Sequence, residues 1–426
     1  AREKPYGSGS RFIVLRVSFV PEREVLERYG RLLIAFALGQ GNGIKAGDVV
    51  QIHGCDACKP LYIEACSAVW RAGGHVIHSY MPSEDDYGDV RRAFLELASD
   101  EQLTFVPQPY ANAVVDQVDH DLVIYAPARP RSLDGIDPAK QMLRGKAWLP
   151  VRQREQEKEN RGAYSWTIAS YGTPGMAAEA EMTIEEYWEQ IIRACFLDRE
   201  DPVARWREVR ATIDVTRERL NALPIERMHV EGPEADLWVS LGERRKWRDG
   251  VGVNVPSFEL FTSPDWRGTE GWIRFSEPLY AFGSLITGVE LEFEHGRVAR
   301  AIAAENEPLL HEMLETENAD RVGEFSLTDA RLSPIDRFMA DTLYDENVGG
   351  PFGNTHLALG NAYQDAYDGD PSELGEEDWR RLGFNESAIH TDIVSTTDRT
   401  VTATLRDGSE RVIYADGQFQ LDDVGL

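Results

Sequence analysis

The sequence predicts an α/β fold with an N-terminal α/β domain over residues 1–230 and a C-terminal mixed α+β metal-binding domain over residues 231–426. In the first part, apolar residues at helical spacing alternate with short apolar runs, an order typical of a sheet flanked by helices. From about Asp236 the pattern changes to short strands of alternating polarity. The 426 residues suffice for two cores, because one core seldom grows past about 250–300 residues.

The elements of the first domain follow from this alternation. We expect helices over residues 22–38, 60–72, 89–98, 184–197 and 201–223, and strands over residues 49–53, 75–80 and 122–126. Thr183 and Glu186 form a capping box before one helix, and Pro202 takes the first position of the next. We expect a loop or strand at residues 114–118. The charged run 152–161 is predicted to be an exposed helix or loop, because such runs usually face solvent.

The second domain is predicted to be rich in strands. These cover residues 237–241, 271–275, 288–293 and 298–303, with Gly296 at the turn between the last two. We expect helices at 307–315 and 335–344 and an extended segment at 325–328. Hairpins around Asp407-Gly408 and Asp416-Gly417 complete the C-terminal part, because these dipeptides favour tight hairpin turns.

Charge and hydropathy narrow the class of protein. The net charge of -28 argues against nucleic acid or an anionic membrane as a partner, since both attract basic surfaces. The sequence has no run of eighteen apolar residues, and its first residues, Ala1-Arg2-Glu3-Lys4-Pro5, lack the apolar core of a signal peptide. We therefore expect a cytoplasmic protein.

The cysteines include one C-x-x-C pair, Cys55 and Cys58. Such a pair can form a redox or zinc motif, but the sequence has no second C-x-x-C to complete a zinc site. This pattern favours small buried or solvent-edge thiols.

Candidate metal ligands lie in the second domain, in turn-rich or strand-like surroundings: Glu259, Glu324, Glu346, His356, His390 and Asp392. His390 and Asp392 would point from the same face of a strand, because residues i and i+2 share a face. Two imidazoles with several carboxylates suit a hydrolytic divalent-metal centre with one ion or two. Each residue alone could instead be a surface carboxylate or a buried, satisfied histidine.

Six motifs in one order give a family resemblance: Asn254-Val255-Pro256-Ser257-Phe258-Glu259, Ser276-Glu277-Pro278-Leu279, Val322-Gly323-Glu324, Asp345-Glu346-Asn347, His356-Leu357-Ala358-Leu359-Gly360 with Tyr363, and His390-Thr391-Asp392. Together they resemble the thermophilic metalloaminopeptidase family. A weaker likeness in the N-terminal half extends the resemblance over nearly the whole chain.

The resemblance implies a dinuclear-metal aminopeptidase that uses metal-activated water to release N-terminal residues from peptides. It implies two divalent cations (zinc, cobalt, manganese or magnesium) and the ligands Glu259, Glu324, Glu346, His356, Tyr363, His390 and Asp392. Glu324, Glu346 and Tyr363 are expected to carry catalysis; Glu346, at or beside the second metal, is a candidate general base, and Tyr363 a ligand or an oxyanion donor. The family also implies peptide substrates and a homodimer.

Two departures from the family bear on substrate class. Phe258 stands where the relatives usually carry a second acidic residue, and residues 348–355 form a longer Gly-Pro link beside the expected site. Two alternatives remain open at this point. One is a non-haem iron ring-cleaving dioxygenase of the dihydroxypyridine dioxygenase type, and the other is a metal-stabilised peptide-binding scaffold without activity.

Overall fold

The computed structural model of the protein describes residues 19–422. The segment Ala1-Arg2-Glu3-Lys4-Pro5, which contributed to the expected location, lies outside this range. Among the helices of the described range, none is both long and apolar enough to cross a membrane.

The first half alternates strands and helices, as the sequence predicts. Its helices are α1 (Arg23–Leu32), α2 (Leu38–Gly41), α3 (Lys59–Arg71), α4 (Val90–Leu97), α5 (Asp100–Thr104), α6 (Gln108–Gln117), α7 (Pro138–Ala147), α8 (Leu149–Asn160), α9 (Pro174–Glu179), α10 (Ile184–Ala194) and α11 (Pro202–Ala222), with a π-helical turn at Leu33–Ala37. Its strands are β1 (Val49–Cys55), β2 (His75–Met81), β3 (His120–Tyr125) and β4 (Ser165–Ser170).

The second half is dominated by strands. They are β5 (Ile225–Gly232), β6 (Ala235–Ser240), β7 (Arg248–Asp249), β8 (Asn254–Val255), β9 (Glu259–Thr262), β10 (Glu270–Arg274), β11 (Leu279–Ala281), β12 (Ser284–Ile286), β13 (Glu290–Glu294), β14 (Arg297–Ile302), β15 (Val322–Thr328), β16 (Asn354–Gly360), β17 (His390–Ser395), β18 (Thr400–Leu405), β19 (Glu410–Ala415) and β20 (Gln418–Phe419). The helices are α12 (Glu307–Leu314), α13 (Thr342–Asp345) and α14 (Glu376–Leu382), with 3₁₀ turns at Trp266–Gly268, Gln364–Ala366 and Pro371–Glu373.

The strands assemble into sheets of two kinds. A parallel sheet has the order β2-β1-β3-β4-β8, with β8 contributed by the second half of the chain. Antiparallel sheets follow the orders β14-β13-β10-β6-β5-β18-β19-β20, β17-β16-β15-β9-β7 and β11-β12. The predicted fold class, an α/β first part followed by a mixed α+β second part, is confirmed. The domain boundary near residue 230 remains a prediction.

A continuous apolar core joins the two halves. Trp206 of α11 stacks on Phe258 just before β9, with ring centroids 5.0 Å apart, and Phe196 meets Phe258 edge-on at 6.2 Å. All three rings are buried. This aromatic cluster holds the start of β9 against the helices of the first half.

Several local predictions are confirmed by hydrogen bonds and backbone angles. Thr183 and Glu186 form the capping box of α10, and Asp201 caps α11, which begins with Pro202. The β19–β20 turn places both Asp416 and Gly417 at positive φ, as a type I′ turn requires.

Two local predictions are wrong. Residues 114–117 belong to helix α6, because Ala111 and Val115 at helical spacing pack against Val151. The expected helix at 335–344 is reduced to α13, Thr342–Asp345. There the Asp345 carboxylate accepts hydrogen bonds from the backbone N–H groups of Met339 (2.6 Å) and Asp341 (3.0 Å), which a longer helix would bond to its own carbonyls.

Candidate metal centre

The candidate ligands come from neighbouring strands of the β17-β16-β15-β9-β7 sheet: Glu259 on β9, Glu324 on β15, His356 on β16, and His390 with Asp392 on β17. The register of these strands places the candidate ligands on one face of the sheet. Ala358 lies opposite both Glu324 and Asp392, and its small side chain leaves space between the two carboxylates. The alternation of strand side chains thus brings residues that are distant in sequence to one site.

Glu324 occupies the centre of this face. Its Oε1 lies 3.2 Å from Nε2 of His356, and its Oε2 lies 3.5 Å from Nε2 of His390. Each oxygen of one carboxylate therefore faces a different imidazole. Glu324 belongs to two groups whose ligand atoms lie close enough to hold an ion, Glu259–Glu324–His356 and Glu324–His390–Asp392.

Neighbouring polar groups fix the ligand orientations. The Nδ1 of His390 lies 2.8 Å from the Asn361 carbonyl oxygen, so Nδ1–H donates there and leaves Nε2 facing the site. Ser326 Oγ donates to Glu259 Oε2 at 3.0 Å, and Ser257 Oγ donates to Oε1 at 3.3 Å. Sequence reasoning did not assign roles to these supporting groups.

Glu346 lies beside the two groups and is also held by polar partners. Its Oε1 accepts hydrogen bonds from Nδ2 of Asn254 at 2.9 Å and Nδ2 of Asn347 at 3.5 Å. Burial, and then the negative charges of the neighbouring carboxylates, raise its pKa well above the usual value for glutamate. The same surroundings favour a positive charge, from a cation or a proton, beside Glu346.

Tyr363 borders the pocket and packs on a ligand. Its ring centroid lies 4.8 Å from that of His390 and 5.6 Å from that of Phe261. Burial and the nearby carboxylates raise the pKa of the phenol well above its usual value. The hydroxyl therefore remains a hydrogen-bond donor.

The clustered carboxylates of the site favour the binding of a positive charge. Burial, reinforced by Glu324 and Asp392, raises the pKa of Glu259 despite the opposing effect of His356. Burial alone would lower the pKa of both imidazoles, but adjacent carboxylates raise the pKa of His356 and of His390 to about 9. Without a cation, the site can reduce its negative charge only by taking up protons.

The donor set fits a divalent metal centre. Buried carboxylate oxygens and imidazole nitrogens are ligands that zinc, cobalt and manganese accept. Nε2 of His356 lies 3.3 Å from Glu259 and 3.2 Å from Glu324, so this nitrogen is the one placed to bind a cation. The ligand residues enclose a cavity of about 50 Å³.

A larger cavity of about 560 Å³ adjoins this pocket and shares some of its wall residues: Gln156, Glu159, Trp166, Tyr363 and His390. Gln156 and Glu159 lie on α8, within the run that the sequence predicted to be an exposed helix or loop. The helix is present, but the prediction of exposure is wrong for this face. The N-terminal half therefore contributes to the site through Gln156 and Glu159. Sequence reasoning missed these two residues, because a polar helix face has the same composition whether it borders solvent or a pocket.

The two departures from the family pattern adjoin ligand residues in sequence but do not line the ligand pocket. Phe258 packs in the aromatic cluster, and the described pocket walls include neither Phe258 nor residues 348–353. Backbone N–H groups of Gly349 and Gly350 instead donate to the Ile335 carbonyl oxygen.

Clustered carboxylates and imidazoles on a mixed α/β scaffold are the type of site found in metal-dependent hydrolases. The chain matches the model of the thermophilic metalloprotease family (M29) over residues 22–419 and belongs to this family. It is therefore an enzyme of the hydrolase class. The resemblance predicted from the ordered motifs is confirmed.

Individual proteins agree with this assignment. The chain is 31% identical over 314 residues to aminopeptidase T of Thermus thermophilus, covering 68% of this chain and 74% of that protein. The solved structure of wild-type AmpT from Thermus thermophilus gives a TM-score of 0.77 at 26% identity, covering 93% of this chain and 99% of that chain. A 2,5-dihydroxypyridine dioxygenase structure from Pseudomonas putida KT2440 gives a TM-score of 0.48 at 13% identity over 94% of this chain and 97% of that chain, too distant to argue for function.

Proposed function

We propose that the protein is a dinuclear-metal aminopeptidase that removes N-terminal residues from peptides. The observation that carries the proposal is the position of Glu324, whose two oxygens face two different histidines, 3.2 Å and 3.5 Å away. A carboxylate shared in this way is the arrangement expected of a bridge between two cations. The activity for which these relatives are named, aminopeptidase, supports the choice of peptide substrates.

The residues divide into two ligand sets that meet at Glu324. One set adds Glu259 and His356, and the other adds His390 and Asp392. Glu346 and Tyr363 border both and are proposed as further ligands or as reacting groups. Zinc, cobalt, manganese and magnesium are all compatible with such oxygen-rich sites.

Bound divalent cations would supply Lewis acidity and a water molecule of lowered pKa. The side chains supply the remaining functions. Glu346, oriented by Asn254 and bordering the ligand pocket, is placed to accept and return a proton. The protonated phenol of Tyr363 can donate a hydrogen bond to the oxygen on which negative charge develops.

The shape and charge of the two cavities suit an N-terminal peptide segment. The ligand pocket is only about 50 Å³, whereas the adjoining cavity is about 560 Å³, within the range typical of ligand sites. An ammonium group is complementary to the carboxyl group of Glu159, which lines both cavities. We infer that the free amine enters the small pocket while the rest of the substrate occupies the large one.

A comparison of free and blocked substrates tests this function. The metal-loaded protein should hydrolyse aminoacyl-p-nitroanilides and should leave the matched N-acetylated compounds intact. Equal cleavage of both sets would exclude an aminopeptidase. Adding Leu-Gly-Gly and Gly-Gly-Leu, with product analysis, would establish from which end residues are released.

The alternative functions have less support. No observation in the described structure favours the iron dioxygenase over a hydrolase, and membership of a protease family argues against both it and the inactive scaffold. A homodimer and a cytoplasmic location remain predictions. Light scattering and cell fractionation would test them.

A further inference from the structure

A second reactive site lies at the carboxyl end of β1. This strand ends at Cys55, and after the turn Asp56-Ala57 the chain reaches Cys58, directly before α3. The two sulfur atoms are 3.9 Å apart. The strand-to-helix turn therefore holds two thiols in contact within one short segment.

The two thiols differ in accessibility. Cys58 is buried, whereas Cys55 is partly exposed. The backbone N–H of Cys55 donates to the Cys58 sulfur at 3.2 Å, and the Cys58 thiol lies 3.4 Å from the Cys55 carbonyl oxygen. These contacts keep the buried sulfur next to the accessible one.

The surroundings favour ionisation of the accessible thiol. Hydrogen bonding from Cys58, with further hydrogen bonds from Ser83 and the backbone of the turn, lowers the pKa of Cys55 to about 6 even though burial opposes this. In contrast, burial raises the pKa of Cys66 to about 11 and that of Cys195 to about 12. Because the thiolate is the nucleophile, reactivity should concentrate at Cys55.

A small molecule has access to this sulfur. Cys55 lines a cavity of about 240 Å³ together with Ser83 and Tyr125. The carboxylates of Glu84 and Asp89 and the guanidinium of Arg91 border the same cavity, and Arg91 lies 2.6 Å from Glu84, so these three groups leave one net negative charge on its wall. This cavity has no lining residue in common with the metal pocket.

We propose that Cys55 and Cys58 form a thiol–disulfide exchange site that reacts with low-molecular-weight disulfides. The Cys55 thiolate attacks one sulfur of the small disulfide, forming a mixed disulfide and releasing one small thiolate. Cys58 then gives up its proton to the small thiolate released in the first step, and its sulfur attacks Cys55 Sγ. The Cys55–Cys58 bond forms, the mixed disulfide breaks and a second small thiolate leaves, so the protein loses two electrons and the small disulfide gains them.

Thiol labelling of the full-length wild-type protein tests the first step. Under limiting iodoacetamide, Cys55 should be alkylated at least about 100-fold faster than Cys66 or Cys195, as followed by peptide mass spectrometry. Comparable rates at Cys55 and Cys66 would overturn the proposal. This measurement needs no substitution and stays valid even where a variant fails to fold.

Oxidation with cystamine, a cationic disulfide, tests the second step. The wild-type protein should yield a Cys55–Cys58 disulfide without a stable adduct, and Cys58→Ser should retain one cysteamine group on Cys55. Cys55→Ser should gain no adduct, while the matched Cys66→Ser control should behave as wild type. A wild-type protein that holds a persistent adduct without closing the bond, or a Cys58→Ser protein that gains none, would contradict the mechanism.

Discussion

Glu324→Gln is the most informative single substitution in the metal centre. It keeps the shape of the side chain while removing the negative charge and one carboxylate oxygen. In the wild-type site Glu324 belongs to both ligand groups, so the change leaves Glu259 with His356 on one side and His390 with Asp392 on the other. One group then keeps only two of its three ligands, and the other keeps as its third ligand only a neutral amide oxygen.

The size of the effect follows from this geometry. Loss of a residue that merely supports a ligand costs about 10–100-fold in metal affinity, so loss of a ligand oxygen together with its negative charge should cost about 100-fold or more. Because a hydrolytic site needs its cations in place, we expect kcat/KM to fall by about 1,000-fold or more. That loss corresponds to about 4 kcal/mol of transition-state stabilisation.

Metal content and peptidase activity should be measured on the same samples. A matched control is Glu64→Gln, because Glu64 is likewise buried but lies on α3, 3.3 Å from Arg23. The control should keep both its metal and its turnover, and circular dichroism should show that both variants fold. If Glu324→Gln retained two cations and wild-type turnover, Glu324 would not be a bridge.

Four further predictions follow from the structure. Removal of metal with a chelator should abolish peptidase activity and lower Tm, since a ligand at 100 times its Kd stabilises the folded state by about 2.7 kcal/mol; an unchanged Tm in calorimetry would contradict metal binding. The pKa values of about 9 for His356 and His390 lie above the ordinary value, so protons compete with the cation at neutral pH; titration calorimetry should show proton release and an affinity that rises as pH approaches 9. Asn254→Ala removes the 2.9 Å hydrogen bond to the candidate base and should lower kcat by about 10-fold with unchanged metal content, whereas loss of metal would indicate a ligand-positioning role. Phe258→Ala should cost about 3–5 kcal/mol in urea unfolding because the ring is buried on Trp206, and a cost below about 1 kcal/mol would refute the packing argument.

Local sequence patterns predicted the features that depend on local geometry. His390 and Asp392 share a strand face, and their Nε2 and Oδ1 atoms lie 3.3 Å apart. The turn at Asp416-Gly417 likewise follows from the positive φ angles that this dipeptide tolerates. All the candidate ligands border one pocket. Only the family resemblance could predict this, because spacing along the chain does not specify the register between distant strands.

Features that depend on tertiary contacts were not predictable in this way. The polar face of α8 borders the substrate-sized cavity, but its sequence is also that of a solvent-exposed helix. Residues 335–341 have apolar side chains at helical spacing. The Asp345 carboxylate nevertheless accepts hydrogen bonds from two backbone N–H groups of this segment, which are then not available to a helix. Side chains that compete for backbone hydrogen bonds override periodicity in such cases.

The central claim is tested most directly by elemental analysis of anaerobically purified protein, paired with hydrolysis of an aminoacyl-p-nitroanilide panel. The membership of Glu324 in both ligand groups and the proposed aminopeptidase function predict two zinc, cobalt, manganese or magnesium ions per chain and cleavage that requires a free amine. A single iron per chain, no hydrolysis, and oxygen uptake with dihydroxylated aromatic compounds would contradict the aminopeptidase and favour the ring-cleaving dioxygenase.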